Sequence, residues 1–214
     1  MRWALLDGVP EEDVRRLLSV ARRRKFERGE VVFHEHDPAD TLHLVVKGHF
    51  VVRTQTPLGD RAILAVLGPG EMFGELALLG DEDARRSATV AAIEPGETHS
   101  VHKLDFDGLR RSHPETAQVL IAILSGQVRR LSRHLLEALY VPADKRVLRR
   151  LLEIAALYPD GTVPLNQEDI ASLAGTSRAT VNRVLREEEA RGTVKLGRGR
   201  TVVLDADTLT RRGR

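Results

Sequence analysis

Phe73-Gly74-Glu75-Leu76-Ala77-Leu78-Leu79-Gly80 sets a carboxylate directly after a glycine in an apolar run, and Arg85-Arg86-Ser87-Ala88-Thr89-Val90 follows a few residues later. An acid and a base this close have two uses. They neutralise one another as a structural ion pair, or they divide one ligand, the carboxylate taking hydroxyls and the guanidinium a phosphate. Glu75 with Arg86, or with Arg85, is therefore the first candidate pair. A second constellation lies in NQEDIASLAGTSRATVNRVLREEEARG, residues 166–192. There Ala171, Gly175 and Val181 have the spacing of a helix-turn-helix: a small residue where two helices approach, a glycine at the turn, an apolar anchor in the second helix. Ser177 caps that second helix, whose exposed face carries Arg178, Ala179, Asn182 and Arg183. Arginine pairs bidentately with guanine and asparagine with adenine in the major groove. Lys195, Arg198 and Arg200, in a hairpin just beyond, suit phosphate contacts. The plainer alternative is a helical hairpin with solvated arginines.

A third set is His34 and His36. Two apart on a strand they would share a face, as in the histidine pair of cupin-type metal enzymes. Asp40, Thr41 and Phe73 stand where that pattern wants its remaining ligands, so surface histidines are the default reading.

The elements that must hold these residues are legible in outline. Val9-Pro10-Glu11-Glu12-Asp13 opens a short helix, with Val14, Leu17 and Leu18 on one face. From Phe26 to about Leu104, short β-branched or aliphatic runs such as VVFHEH, LHLVVKG and RAILAVL alternate with turns. Those turns include Asp37-Pro38, Gly48, Pro57-Leu58-Gly59-Asp60, Pro69-Gly70 and Pro95-Gly96. Short strands at regular spacing predict a β-sandwich or a jelly-roll barrel. Residues 105–140 read as helical with a fresh start at His113-Pro114-Glu115. Leu120, Leu124, Val128, Leu131, Leu135 and Leu139 then form one stripe along a helix of about 39 Å at 1.5 Å per residue. The stripe packs on the barrel or forms a parallel dimer seam, and its length favours the seam. Val141-Pro142 breaks it, with Asp144 as the cap of a helix expected over Lys145–Leu157. The turn Tyr158-Pro159-Asp160-Gly161, the helix-turn-helix and two strands, TVKLG and RTVVLD, complete the chain.

Composition narrows the function. With 214 residues, 42% of them hydrophobic and 30% charged, the chain suits one large or two small folded domains. The absence of cysteine excludes disulfides, thiolate metal sites and cysteine-held iron–sulfur clusters. No signal peptide or membrane span is evident, so the expected location is the cytoplasm. Residues 1–142 hold 19 Lys+Arg against 21 Asp+Glu and residues 143–214 hold 14 against 10, so the C-terminal part is the basic one. No catalytic triad or Walker-type loop stands out, and the expectation is a non-enzyme.

With both constellations in view, Phe73–Leu79 followed by Arg85–Val90 resembles the phosphate-binding cassette of cyclic-nucleotide-binding domains. A barrel with this cassette, a long helix and a winged helix-turn-helix resembles the CRP/FNR family of bacterial transcription regulators over nearly the whole chain. The resemblance implies an α+β fold: an effector barrel at 1–113, a dimerisation helix at 114–141 and a winged helix-turn-helix at 142–214. It implies that Glu75 takes the ribose 2′-hydroxyl and that Arg86 and Ser87 take the cyclic phosphate, with Gly74, Leu76 and Ala88 contributing backbone. The separation of Glu75 and Arg86 is eleven residues, longer than common patterns, so Arg85 remains an alternative to Arg86. The base contact, a hydroxyl pair in the family, falls on Leu131-Ser132. The DNA-contacting set takes in Gln167, Thr176, Ser177, Arg178, Ala179, Asn182, Arg183, Arg198 and Arg200. Ala179 stands where the cyclic-AMP-responsive branch has glutamate, an acceptor suited to cytosine, so an altered operator is expected. The implied effector is a cyclic nucleotide, first of all cyclic AMP, with no required cofactor or metal; a regulator of this type with another ligand, or with none, is the alternative. The implied partners are a second copy of the chain, a two-fold symmetric DNA operator and RNA polymerase.

Overall fold

The computed structural model describes residues 2–56, 59–79 and 83–214. The turn expected at Pro57-Leu58 and Gly80 of the cassette stretch lie outside them. Contacts divide the chain into two compact units, Met1–Thr54 with Ala65–Arg129, and Gln55–Leu64 with Arg130–Arg214.

The first unit starts with helix α1 (Glu11–Val20), entered through Pro10 with Glu11, Glu12 and Asp13 in its first turn. Among the described residues eight strands follow in chain order, Gln55 of β4 and the first four residues of β5 counting with the second unit: β1 (Arg22–Phe26), β2 (Val31–Phe33), β3 (Thr41–Lys47), β4 (Phe50–Gln55), β5 (Arg61–Leu67), β6 (Met72–Phe73), β7 (Thr89–Ala92) and β8 (Gly96–His102). They form two four-stranded sheets, β1-β8-β3-β6 and β2-β7-β4-β5, the jelly-roll of the two architectures expected from the turn spacing. Alternation along β3 explains how one strand serves two cores. Leu42 and Leu44 join Trp3, Leu6, Leu17, Phe106 and Leu120 in a helical layer on one side. Val45 joins Phe26, Phe50, Phe73 and Val90 inside the barrel. The Trp3 indole N–H, buried with its ring, donates to the carbonyl of Val45 at 3.0 Å.

Helix α2 (Lys103–Ser112) precedes α3 (Glu115–Tyr140), whose start after Pro114 matches the expected break. The apolar stripe of α3 divides. Leu120 is buried and Leu124 packs against the helical layer, as the barrel-packing reading required. Val128, Leu131, Leu135 and Leu139 are 62%, 48%, 61% and 63% exposed. Within a single chain these four side chains have little cover.

The second unit holds the last turns of α3, then α4 (Ala143–Ala155), β9 (Thr162–Val163), α5 (Gln167–Ala174), α6 (Arg178–Ala190), β10 (Val194–Gly197), β11 (Arg200–Val203) and α7 (Ala206–Gly213). Helix α4 begins two residues earlier than expected. Pro142 is its N-cap, and Asp144 sits in the first turn rather than capping it. A proline at the cap removes one of the N–H groups that a helix start leaves unpaired, and no side chain caps this end. Strand β9 extends the β10-β11 hairpin to three strands. The last turns of α3 are pinned on α4: Arg149 Nη1 donates to Glu137 Oε1 at 2.9 Å, and Arg150 bonds both Glu137 and Glu153. Arg150 Nη1 also donates to His134 Nε2 at 2.8 Å.

Candidate effector and nucleic-acid sites

The cassette is built around a glycine and a buried guanidinium. Gly74 has φ 79°, a left-handed conformation that costs glycine nothing. A Cβ there would stand 2.8 Å from Arg86 Nη1 and 3.0 Å from the Thr41 carbonyl oxygen, so only glycine lets the arginine lie across this backbone. Glu75 then opens a short 3-10 turn, Glu75–Leu78, and is buried, while Leu76 is exposed.

Of the two arginines the fold turns in only one. Arg85 pairs with Pro38 in an isolated bridge and is exposed, while Arg86 is buried and Ser87 beside it is exposed. Arg86 Nη1 donates to the Thr41 carbonyl at 2.6 Å and Nη2 to Thr41 Oγ1 at 2.7 Å. Its guanidinium lies over the Phe33 ring at 4.1 Å, and Asp40 is 3.8 Å from Nη2. Burial lowers the pKa of Arg86 below the usual arginine value, while Asp40, Asp37 and Glu75 act to raise it. Two features remain open. The Nε–H of Arg86 is buried with no hydrogen-bond partner, and the Glu75 carboxylate has no hydrogen bond or ion pair among the described residues. Acid and base face each other electrostatically without bonding, so the simple ion-pair reading does not describe this site. A buried cation with a free N–H beside a free carboxylate suits a ligand bearing both an anion and hydroxyls.

The wall beside them is aromatic. His43 stacks on Phe73 at 5.0 Å with an interplanar angle of 8°, and Phe33 lies 5.9 Å from each of the two rings. His43 Nδ1 and Thr98 Oγ1 share a hydrogen bond of 3.0 Å. Burial first, then the charges of Arg86 and Arg24, pull the His43 pKa down to about 3, so the ring is neutral at ordinary pH. Phe33, Thr41 and His43 escaped the sequence reading. Only the Thr41 hydroxyl and the aromatic character of Phe33 offered any signal. Leu131 and Ser132, assigned to base contact, lie exposed on the part of α3 that belongs to the second unit.

The histidine pair is a correction. Strand β2 ends at Phe33, and His34–His36 form a turn in which the His34 N–H donates to Asp37 Oδ2 at 2.8 Å. His36 has φ 71°, so the alternation that would put both imidazoles on one face is lost. No cluster of three or more His, Asp or Glu side chains fit for a metal exists among the described residues.

The helix-turn-helix follows its spacing closely. Asn166 and Asp169 form a reciprocal capping box on α5. Gly175 is left-handed at φ 60°, and Ala171, Ala174 and Val181 are buried. Ser177 Oγ caps α6, accepting from the Thr180 N–H at 3.2 Å. Arg146 on α4 holds the turn, its Nε donating to the Ala174 carbonyl at 2.9 Å and Nη2 to that of Gly175 at 2.8 Å. Its Nη1 donates to the Val141 carbonyl at 2.6 Å, linking the end of α3 to the same turn.

The face expected to contact DNA is exposed. Arg178 and Ala179 are exposed, and Arg178 has no ion pair among the described residues. Asn182 Nδ2 donates to Gln167 Oε1 at 3.0 Å, which aligns two of the expected contact residues across the helix pair. Arg183 lies exposed with Nη1 donating to Glu187 Oε1 at 2.8 Å, a solvated pair that a base edge could displace. Thr176 is half-buried in the turn, and Arg198 and Arg200 are exposed at the tip of the β10-β11 hairpin.

Comparison with known proteins bears on both sites. The cyclic nucleotide-binding domain family matches residues 23–113, and the Crp-like helix-turn-helix domain family matches residues 145–212. A CRP-like cAMP-activated global transcriptional regulator of Mycobacterium tuberculosis is 30% identical over 223 residues, covering 100% of this chain and 97% of the relative. The cyclic AMP receptor protein of Thermus thermophilus is 36% identical over 208 residues, covering 96% and 94%. The crystal structure of Thermus thermophilus catabolite activator protein superposes with a TM-score of 0.56 at 33% identity, covering 98% of each chain. No helix among the described residues is long and apolar enough to cross a membrane.

Proposed function

The chain belongs to the CRP/FNR family of DNA-binding transcriptional regulators, and from that premise we propose that it is a homodimer whose operator affinity is set by a cyclic nucleotide, cyclic AMP first. The observation that carries the effector reading is the buried Arg86, with its unpartnered Nε–H, facing the unpaired Glu75. A cyclic phosphate on Arg86 and Ser87 supplies the missing acceptor, and a ribose hydroxyl supplies a donor for Glu75. Gly74, Leu76 and Ala88 form the backbone of the site, and Arg85 stays outside it. Relatives named for cyclic AMP support the choice of nucleotide.

In this reading the barrel at 1–113 senses the effector, the helix at 114–141 joins two copies and residues 142–214 read DNA. The four uncovered side chains Val128, Leu131, Leu135 and Leu139 support the seam, because each would lose water-exposed apolar surface on pairing. Ser132 on the same helix is the proposed base contact. A two-fold dimer presents two recognition helices to a two-fold symmetric operator with half-sites about one helical turn apart. The proposed location is the cytoplasm, where RNA polymerase is the partner on which such a regulator acts. We assign no catalytic step to the chain, in keeping with relatives named as transcriptional regulators.

The test is operator affinity by fluorescence anisotropy, using DNA selected by the protein itself, with and without cyclic AMP. Effector control predicts at least a tenfold gain on adding cyclic AMP. High affinity indifferent to cyclic AMP, cyclic GMP and cyclic di-GMP would mark the protein as an effector-independent regulator.

A further inference from the structure

We propose that the C-terminal helix α7 is a strut that fixes the angle of the recognition helix α6, with Glu188 and Arg212 as positioning residues for DNA reading. The proposal rests on the dimeric operator-binding function given above. It starts from a buried carboxylate that neither site uses.

Glu188 lies near the C-terminal end of α6 and is 1% exposed. Its Oε1 accepts from Arg212 Nε on α7 at 2.9 Å and from Arg191 Nη1 at 3.1 Å. Its Oε2 accepts from Thr193 Oγ1, just before the wing strand β10, at 2.8 Å. The Thr193 carbonyl in turn accepts from the Leu204 N–H at 2.8 Å and the Asp205 N–H at 3.1 Å. Asp205 caps α7 by accepting from the Thr208 N–H at 2.9 Å. One carboxylate therefore gathers the recognition helix, the wing and α7.

The C-terminal turn of α7, which carries Arg212, is also tied to α4. Arg149 Nε donates to the Gly213 carbonyl at 2.7 Å, and Lys145 Nζ donates to the Arg214 carbonyl at 3.1 Å. Arg149 also donates through Nη1 to Glu137 on α3 at 2.9 Å. The polar path thus runs from Glu137 on the seam helix, through Arg149 and the end of α7, to Arg212 and Glu188. A buried carboxylate is tolerated only while its donors hold their places, which makes this geometry stiff.

The lever is long enough to matter. Ten residues separate Glu188 from Arg178, about 15 Å at 1.5 Å per residue. A tilt of about 10° at Glu188 would shift the reading end by about 2.6 Å along such a rod. In a dimer, each such shift changes the spacing between two recognition helices, which is set against the fixed repeat of DNA.

The test separates positioning from folding. Glu188→Leu combined with Arg212→Met removes both charges and leaves no unpaired buried ion, and Thr193 Oγ1 keeps its second acceptor, the Glu188 carbonyl, at 3.0 Å. The probes are a duplex selected from a random library by the wild-type protein, the same duplex with one base pair inserted or removed at its dyad, and a single half-site. Wild type should prefer native spacing by at least 100-fold. The double variant should melt like wild type and bind the half-site within threefold, yet discriminate spacing by less than tenfold. Should the double variant not fold, Arg212→Met alone, with Glu188 retaining Arg191 and Thr193, should give an intermediate loss of discrimination. Wild-type discrimination in a folded variant would reduce α7 to packing and overturn the proposal. If the wild-type protein itself ignores spacing, the dimeric operator reading falls, and the strut with it.

Discussion

Replacing Arg86 by leucine separates a ligand-binding arginine from one that only holds the fold. In the unliganded protein the two bonds from Arg86 to Thr41 each contribute about 1.5–3 kcal/mol as hydrogen bonds to a charged group. Against them stands the burial of the guanidinium, 5% exposed, whose desolvation costs several kcal/mol. Its lowered pKa has the same cause. Leucine abolishes both and leaves the Thr41 carbonyl unpaired, at about 1–3 kcal/mol. The opposing effects leave a net change in unliganded stability within about 2 kcal/mol, or roughly 4–8 °C in melting temperature for a chain of this size.

Ligand binding should respond very differently. Removing one partner of a desolvated ion pair costs about 3–5 kcal/mol, which is roughly 100- to 4,000-fold in Kd. Titration calorimetry with cyclic AMP reads this directly. Thermal unfolding gives a second reading, because a ligand at a hundredfold excess over Kd adds about 2.7 kcal/mol of apparent stability to the wild type. Arg86→Leu should melt near the unliganded wild type and show no shift with cyclic AMP. Glu75→Ala, which loses an acceptor for one hydroxyl, should weaken binding by about tenfold. If Arg86→Leu drops the melting temperature by far more than about 8 °C while the surviving folded protein binds cyclic AMP normally, Arg86 is a structural pin and the reasoning fails.

Four further outcomes are expected. Leu131→Glu with Leu135→Glu puts four carboxylates on a paired seam and should give monomers in sedimentation; an unchanged dimer would move the interface elsewhere. Arg178→Ala should cost about 1–3 kcal/mol on the selected site and little on random DNA. Arg200→Ala should weaken both alike and flatten the salt dependence, and equal losses on both DNAs for Arg178→Ala would demote it to a phosphate contact. His43, with its folded pKa depressed to about 3, contributes stability that is complete above about pH 6.5, its unfolded value. That stability is lost as pH falls from there toward 3, because the unfolded chain takes up a proton that the buried ring refuses. Urea midpoints at pH 7 and pH 5 should therefore converge in His43→Phe, and an identical pH dependence in both proteins would show that His43 does not drive it.

What could be read from the residues, and what could not, divides along a physical line. The helix-turn-helix was legible because Ala171, Gly175 and Val181 answer to local steric demands: a close helix crossing, a left-handed φ of 60° and an anchor buried to 0% exposure. Gly74 answers to the same kind of demand, a left-handed φ of 79°. The partner of Arg86 was not, since its main acceptor is the backbone carbonyl of Thr41, 45 residues away, and every residue type has that group. Strand β1 reads Arg-Arg-Arg-Lys-Phe with one buried residue, Phe26; it is a strand because its register against β8 makes it one, and its own alternation says nothing. Helix α7 is short and polar, with only Leu209 and Gly213 buried, so its bonds to Arg149 and Glu188 had no periodic signal. Conversely, VVFHEH alternates well enough to suggest a strand through His36, yet Asp37 folds the chain back by accepting the His34 N–H. The α3 stripe is the opposite case. Its period was plain from Leu120 to Leu139, but only its first turns find cover in the chain that carries them. A pattern that a single fold leaves unsatisfied over Val128–Leu139 would be covered by the second copy of the proposed dimer, and that proposal therefore rests on periodicity and exposure together.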